Sequence, residues 1–242
     1  MKLRAGTALD VSLMFDETQP ALPACRLAMA DGAAQLEWSA DVIRARLRVS
    51  PLAYPPEPGL HGARSRHFEG LHGFLHDSLP EGWGYLLMRK RLAKLGLRLE
   101  ELSPLDRLAL VGRGGRGALA FEPSTTPDGE MGELDLDVLA AEAFAILAGE
   151  DSDLADVLAR LGGASGGARP KVHVAYDRHG QTVVSHDEAP GLESWIVKFR
   201  SPADPIDIGP IEEAYAAMAE AAGLTLSGHR LFPAREGPGY FG

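Results

Sequence analysis

The 242-residue sequence predicts an α+β fold: a β-rich N-terminal subdomain, a helical connection, and then an antiparallel sheet with packed helices. Three observations point there. Apolar and polar residues alternate on both sides of Ala30-Asp31-Gly32, the pattern of a hairpin with one buried face. Two helix-period segments, Leu134 to Leu147 and Leu154 to Leu161, occupy the middle of the chain. Short apolar runs at Val172 to Tyr176, Thr182 to Val184 and Trp195 to Phe199 then precede a helix from Ile211 that glycine stops at Gly223.

Taken in order, Leu9 to Phe15 is strand-like and Cys25 to Trp38 is the hairpin. Val42 to Val49, with arginines at alternate positions, extends the same sheet. Ser50 to Arg66 carries four prolines and reads as a loop that no regular element crosses. Asp77 or Ser78 can cap a helix whose early turn takes Pro80, with Trp83, Leu86, Leu87 and Leu92 as its buried stripe. His72 and His76 have the spacing of two metal ligands on a helix face, but the glycines around them argue against a helix, and no metal is assigned. Asp151-Ser152-Asp153 can cap the helix from Leu154, and Asp177 to Gly180 is a hairpin turn.

Composition sets the bounds. With 45% hydrophobic and 24% charged residues the chain can build a sizeable core, either one large domain or two small ones. The single Cys25 excludes an intramolecular disulfide and any multi-cysteine metal site. The N-terminus lacks the apolar stretch of a signal peptide or membrane helix, so the expected location is cytoplasmic, with no membrane partner. The net charge of −10 is unevenly placed: Arg44 to Arg116 holds 13 basic against 7 acidic residues, while Glu122 to Asp156 holds 11 acidic residues and no lysine or arginine. The first stretch offers a basic face, and the second reads as a solvated acidic connection between two halves.

The chemistry concentrates in the run Gly162-Gly163-Ala164-Ser165-Gly166-Gly167-Ala168-Arg169-Pro170-Lys171. Glycines around a small hydroxyl residue let backbone approach a ligand and turn N–H groups toward phosphate oxygens. Lys198 closes the apolar run Trp195-Ile196-Val197-Lys198-Phe199, where a cation is costly to bury unless an anion meets it. The helix that follows opens with Glu212 and Glu213, of which Glu212 is the first choice as that anion. Glycine loop, strand lysine and helix glutamate, in that order, are the parts of a protein-kinase N-lobe. Ser165, Gly166, Gly167, Ala168, Lys171 and Lys198 are therefore the candidate nucleotide-binding residues, with Glu212 as the lysine's partner.

The string Asp77-Ser78-Leu79-Pro80-Glu81-Gly82-Trp83-Gly84, followed by Leu105 to Gly112 and Gly117 to Phe121, resembles the N-terminal part of the HipA family of serine/threonine kinase toxins of type II toxin–antitoxin systems. Gly166 to Lys171, Trp195 to Phe199 and Glu212 to Gly223 resemble the start of that family's kinase domain. The resemblance divides the chain into a HipA N-terminal subdomain over 1–122 and a partial kinase domain over 123–242. In the family, ATP and Mg²⁺ support phosphorylation of a protein such as an aminoacyl-tRNA synthetase. A HipB-like DNA-binding antitoxin neutralises the toxin, so DNA is reached only indirectly.

Gly239-Tyr240-Phe241-Gly242 resembles the opening of a strand that continues further in the family, and the helical lobe with the catalytic aspartate and the metal-binding aspartate and asparagine lies outside this sequence. The 242 residues by themselves are thus expected to lack catalytic residues and kinase activity. The alternative is a naturally short, non-catalytic module that docks on a kinase or antitoxin partner. The family's loop also carries a serine whose autophosphorylation draws the loop away from ATP. Placing Gly167 and Lys171 on the family's glycine and lysine puts Ala164 at that serine, with Ser165 next, and puts Arg169 where many members have glutamine. Ser165 is accordingly a candidate autophosphorylation site, or a small residue that helps the turn.

Overall fold

The computed structural model describes residues 3, 6–15, 19–125, 132–162, 165–185 and 191–242. The chain forms two compact units: Met1–Pro80 with Leu95–Asp128, and Glu81–Lys94 with Gly129–Gly242. The fold is α+β, each unit being built on its own five-stranded sheet.

In the first unit β1 (Leu9–Leu13), β2 (Leu22–Ala30) and β3 (Ala33–Trp38) form an antiparallel meander. The turn between β2 and β3 uses Asp31 at φ 51° and Gly32 at φ 78°, the left-handed pair that matches the twist of a two-residue hairpin. Helix α1 (Ala40–Ala45) follows where the alternating arginines suggested a strand. Local capping overrides the pattern: Ser39 Oγ accepts from the Val42 N–H at 3.1 Å, and Arg46 closes the helix in the left-handed region. The proline-rich stretch is not wholly irregular either. Its end, β4 (Leu60–Gly62), pairs with β3, since an edge strand needs only one row of hydrogen bonds and tolerates prolines just before it.

Helix α2 (Gly73–His76) is a single turn, so the glycines do not prevent helix there. His72 nevertheless turns inward: its Nε2 lies 2.8 Å from the His61 carbonyl, its ring meets Tyr54 edge-on, and burial lowers its pKa below the ordinary histidine value. Helix α3 (Gly82–Lys94) belongs to the second unit. It starts after Pro80 rather than taking it into an early turn, and Trp83, Leu87 and Leu92 are buried while Leu86 is half-buried.

Helix α4 (Pro104–Val111) returns to the first unit, and β5 (Leu119–Glu122) pairs with β1, giving the order β4-β3-β2-β1-β5. Its core joins Leu9, Leu27, Leu36, Leu71, Leu108 and Phe121. Asp106 is 7% exposed and organises the start of α4: it accepts from Ser103 N–H (2.8 Å), Ser103 Oγ (2.6 Å) and Leu3 N–H (2.6 Å). Asp106→Ala would strip three donors of a charged acceptor, and a loss of about 2–3 kcal/mol is expected in chemical denaturation. A change below about 0.5 kcal/mol, the level of an ordinary surface substitution, would show that this cap is dispensable.

The second unit takes α5 (Leu136–Leu147), α6 (Ala155–Gly162), β6 (Lys171–Asp177), β7 (Thr182–Val184), β8 (Glu193–Lys198), α7 (Ile208–Ala221), β9 (Leu231–Phe232) and β10 (Tyr240–Phe241). Its sheet runs β7-β6-β8-β10-β9. The acidic stretch is more than a solvated connection. Asp135 caps α5, whose Leu136, Leu139, Ala143 and Ile146 enter a core with Trp83, Leu87, Leu158, Val172, Val197 and Phe232. Charge on one face and burial on the other coexist in an amphipathic helix, and the net count hid the buried face. Residues 126–131 of that stretch, and Gly163 and Ala164 of the glycine-rich run, lie outside the described residues.

Candidate functional site

Antiparallel pairing of β6 with β8 sets Lys171 directly opposite Lys198, and β10 sets Phe241 opposite Lys198 on the other side. Directly opposed side chains share one face of a sheet, so the two ammonium groups rise together. β8 is less buried than its apolar run suggested. Val197 is buried, but Ile196 is 47% exposed, because successive strand residues point to opposite faces and only one of them meets the core.

The Lys198 ammonium meets Glu212 Oε2 of α7 at 2.5 Å and lies 4.9 Å from the centre of the Phe241 ring. Lys171 Nζ donates to the Gly166 carbonyl at 2.5 Å. Burial, and then the charge of Lys198, lower the Lys171 pKa from its ordinary range, while Glu212 opposes them. Two cations against one carboxylate leave the cluster with surplus positive charge, which an anion would neutralise.

Gly166, Gly167, Ala168 and Arg169 are exposed. Gly167 sits at φ 85°, a conformation that favours glycine, and Lys171 Nζ lies 3.0 Å from where its Cβ would be. Arg169 turns away to Asp204 at 2.6 Å. Burial pushes the Asp204 pKa up, but the hydrogen bonds from Ser201 together with the charge and hydrogen bond of Arg169 hold it below the ordinary value. Ser165 is 8% exposed; its Oγ donates to the Gly162 carbonyl at 2.6 Å, and its N–H uses the same acceptor at 3.2 Å. A phosphate on Ser165 would have to break that bond and bring the hydroxyl out of the interior.

Glu213, the second choice beside Glu212, goes elsewhere: it takes the Nδ1 side of His229 at 3.0 Å while Glu220 faces Nε2 at 3.3 Å. The bond to Glu213 raises the His229 pKa, with Glu220 adding to it. A cavity of about 820 Å³ opens beside Lys198, lined also by Phe144, Arg200, Ile208, Gly209 and Tyr240. Its volume falls within the range of small-molecule sites. Residues 165–171 do not line it, so loop and cavity share only the neighbourhood of Lys198.

Three contributions were not read from the sequence. Gly209 lets α7 lie on the backbone of residue 239, where a Cβ would come within 2.5 Å of the Gly239 carbonyl. Arg235 binds Asp135 and Asp137, and the Tyr240 hydroxyl donates to Asp137 at 2.8 Å, tying the 233–240 segment to the start of α5. Gly82 and Trp83 touch the glycine loop itself. None announces itself locally, since each depends on a partner distant in sequence; a glycine inside a helical pattern was the only available signal.

The cations of Arg44 to Arg116 are divided between the two units. Arg89 to Lys94 belong to the second unit and the others to the first, and several are paired: Arg44 with Asp41, Arg107 with Glu69, Arg113 with Glu122, Lys90 with Asp151. Among the described residues no group of three or more His, Cys, Asp or Glu side chains could hold a metal ion. Among them, too, no helix is long and apolar enough to cross a membrane.

Two antiparallel sheets with flanking helices, the second bearing a lysine–glutamate pair beside a glycine loop, define an α+β protein with a site suited to anions. Residues 20–122 match the HipA N-terminal domain. Comparison with curated proteins gives no match.

Proposed function

We propose that the second unit is the nucleotide-holding part of a HipA-like serine/threonine kinase toxin that acts within a toxin–antitoxin system. The observation that carries this reading is the Lys198–Glu212 ion pair at 2.5 Å, with Lys171 opposite Lys198 and the glycine loop at its side. In this reading Glu212 holds Lys198 in place, Lys198 and Lys171 take the phosphates of ATP, and exposed loop N–H groups complete the cradle. No residue is assigned to Mg²⁺, because the described acidic side chains offer no cluster for it. The protein target would be a component of translation such as an aminoacyl-tRNA synthetase, and the partner a HipB-like DNA-binding antitoxin.

Calorimetric titration of the 242-residue chain with ATP tests the reading. Binding that Lys198→Met weakens about tenfold or more, corresponding to loss of one charge-assisted phosphate contact, is the expected result. No ATP binding, or binding indifferent to Lys198→Met, would overturn it.

A second reading, a non-catalytic docking module, draws on the exposed apolar residues of and after α7: Tyr215 is 68% exposed, Met218 64% and Leu224 61%. The same titration separates the two, since a docking module has no need to bind ATP.

A further inference from the structure

The start of α3 is capped by the glycine loop. A helix leaves its first N–H groups without partners inside the helix, and a side chain or another acceptor must take them. Here the acceptor is main chain from across the unit: Trp83 N–H donates to the Gly167 carbonyl at 3.0 Å. The indole makes the second contact, Trp83 Nε1 donating to the Lys171 carbonyl at 3.1 Å. The two bonds grip the loop at both ends of 167–171.

The grip needs glycine at 82. Gly82 lies at φ 48°, and a Cβ there would come within 2.5 Å of the Gly167 oxygen, 2.7 Å of its carbonyl carbon and 2.9 Å of Ala168 Cα. All three are backbone atoms, so the loop would have to move. Gly162 answers on the other side, where a Cβ would meet the Lys171 carbonyl at 2.3 Å and Trp83 Nε1 at 3.0 Å.

The consequence follows from peptide geometry. In a planar trans peptide the C=O and the following N–H point in opposite directions. With the Gly167 carbonyl turned onto Trp83, the Ala168 N–H faces away from α3, and Ala168 itself is exposed. The Gly166 carbonyl is likewise turned to Lys171 Nζ, which directs the Gly167 N–H away from that amine. The Gly166 and Gly167 carbonyls are thus engaged by the protein, and the Ala168 N–H is left on the side away from α3, the polarity that phosphate oxygens require.

We propose that Gly82 and Trp83 are positioning residues of the glycine loop, fixing the Gly167–Ala168 peptide so that its N–H faces the nucleotide phosphates. This rests on the nucleotide reading above. It gives the Glu81-Gly82-Trp83-Gly84 segment, which lies within the matched residues 20–122, a task in the second unit.

The test compares wild type with Gly82→Ala in the full 242-residue chain, using two ligands and one measurement that needs no ligand. ATP affinity is expected to fall about tenfold or more in Gly82→Ala, while adenosine affinity changes less than about twofold, because only phosphate contacts depend on the loop. Hydrogen exchange of the 165–171 segment is expected to be faster in the variant without any nucleotide. Equal loss of ATP and adenosine affinity, or no loss of either, would overturn the positioning role. If wild type binds no ATP, the nucleotide reading fails and exchange alone judges the clasp: faster exchange supports it, unchanged exchange overturns it. Should Gly82→Ala be recovered unfolded, Trp83→Phe, which keeps an aromatic ring and removes the indole N–H, carries the same comparisons with smaller expected shifts.

Discussion

Phe232→Ala is expected to destabilise the second unit by about 3–5 kcal/mol, the cost of emptying a buried aromatic site that cannot collapse. Phe232 is 1% exposed although β9 holds only two residues. Its ring stands edge-on to Tyr176 and to Trp195, each with centroids 5.4 Å away, and the Arg230 guanidinium lies over it at 4.8 Å. These contacts join both arms of the β6–β8 pair to the last strands. Denaturation followed by tryptophan emission, with Trp195 as the nearest reporter, would read the loss as a lower midpoint. Phe232→Leu, which keeps most of the volume, should recover more than half of it. A Phe232→Ala midpoint within about 1 kcal/mol of wild type would mean that β9 is not part of the cooperative unit.

The second large effect is expected at Gly209. Gly209→Val places a branched side chain where even a Cβ would meet the Gly239 carbonyl at 2.5 Å and the Phe241 N at 3.4 Å. Overpacking against backbone costs about 1–3 kcal/mol, and here the strand displaced is β10. Phe241 of β10 is paired with Lys198, whose ammonium is held by Glu212 on α7. Separating α7 from β10 should therefore disturb the ion pair as well as the fold, and ATP affinity should drop about tenfold along with stability. Gly223→Ala is the control. Gly223 is in the left-handed region, at φ 88°, but nothing lies within 4 Å of its Cβ position, so it should cost only about 1 kcal/mol of backbone strain and leave affinity unchanged. Equal effects of the two substitutions would remove the role of close packing at Gly209.

The elements with strong local signals were the ones the sequence disclosed. The hairpin at Asp31-Gly32, the helices before the glycine run and the helix ended by Gly223 are specified by caps, turn residues and periodicity within a few positions. Val42 to Val49 misled because alternating arginines and aliphatics fit a strand, whereas one hydroxyl at Ser39 and the left-handed Arg46 were enough to wind α1. The start of α3 was misplaced for a different reason. Asp77, Ser78 and Pro80 are good cap and first-turn residues, but the acceptor that caps the helix is the Gly167 carbonyl, which no local pattern contains.

At the site, residue types and their order along the chain were determined by sequence: a glycine loop, Lys171, a strand ending in Lys198, and a helix with paired glutamates. Tertiary structure decided which of these meet. Strand register set Lys171 opposite Lys198, and of two adjacent glutamates the helix turned Glu212 to the lysine and Glu213 to His229. Adjacent residues on an α-helix point about 100° apart, so one step along the chain separates an ion pair in the site from one outside it. The same holds for Gly82 and Gly209, where distant backbone comes within 2.5 Å of the position that a Cβ would take. Sequence carries the chemical groups and their local conformational preferences; the distances that make them a site arise from pairings between segments 14 to more than 80 residues apart, which only the folded chain sets.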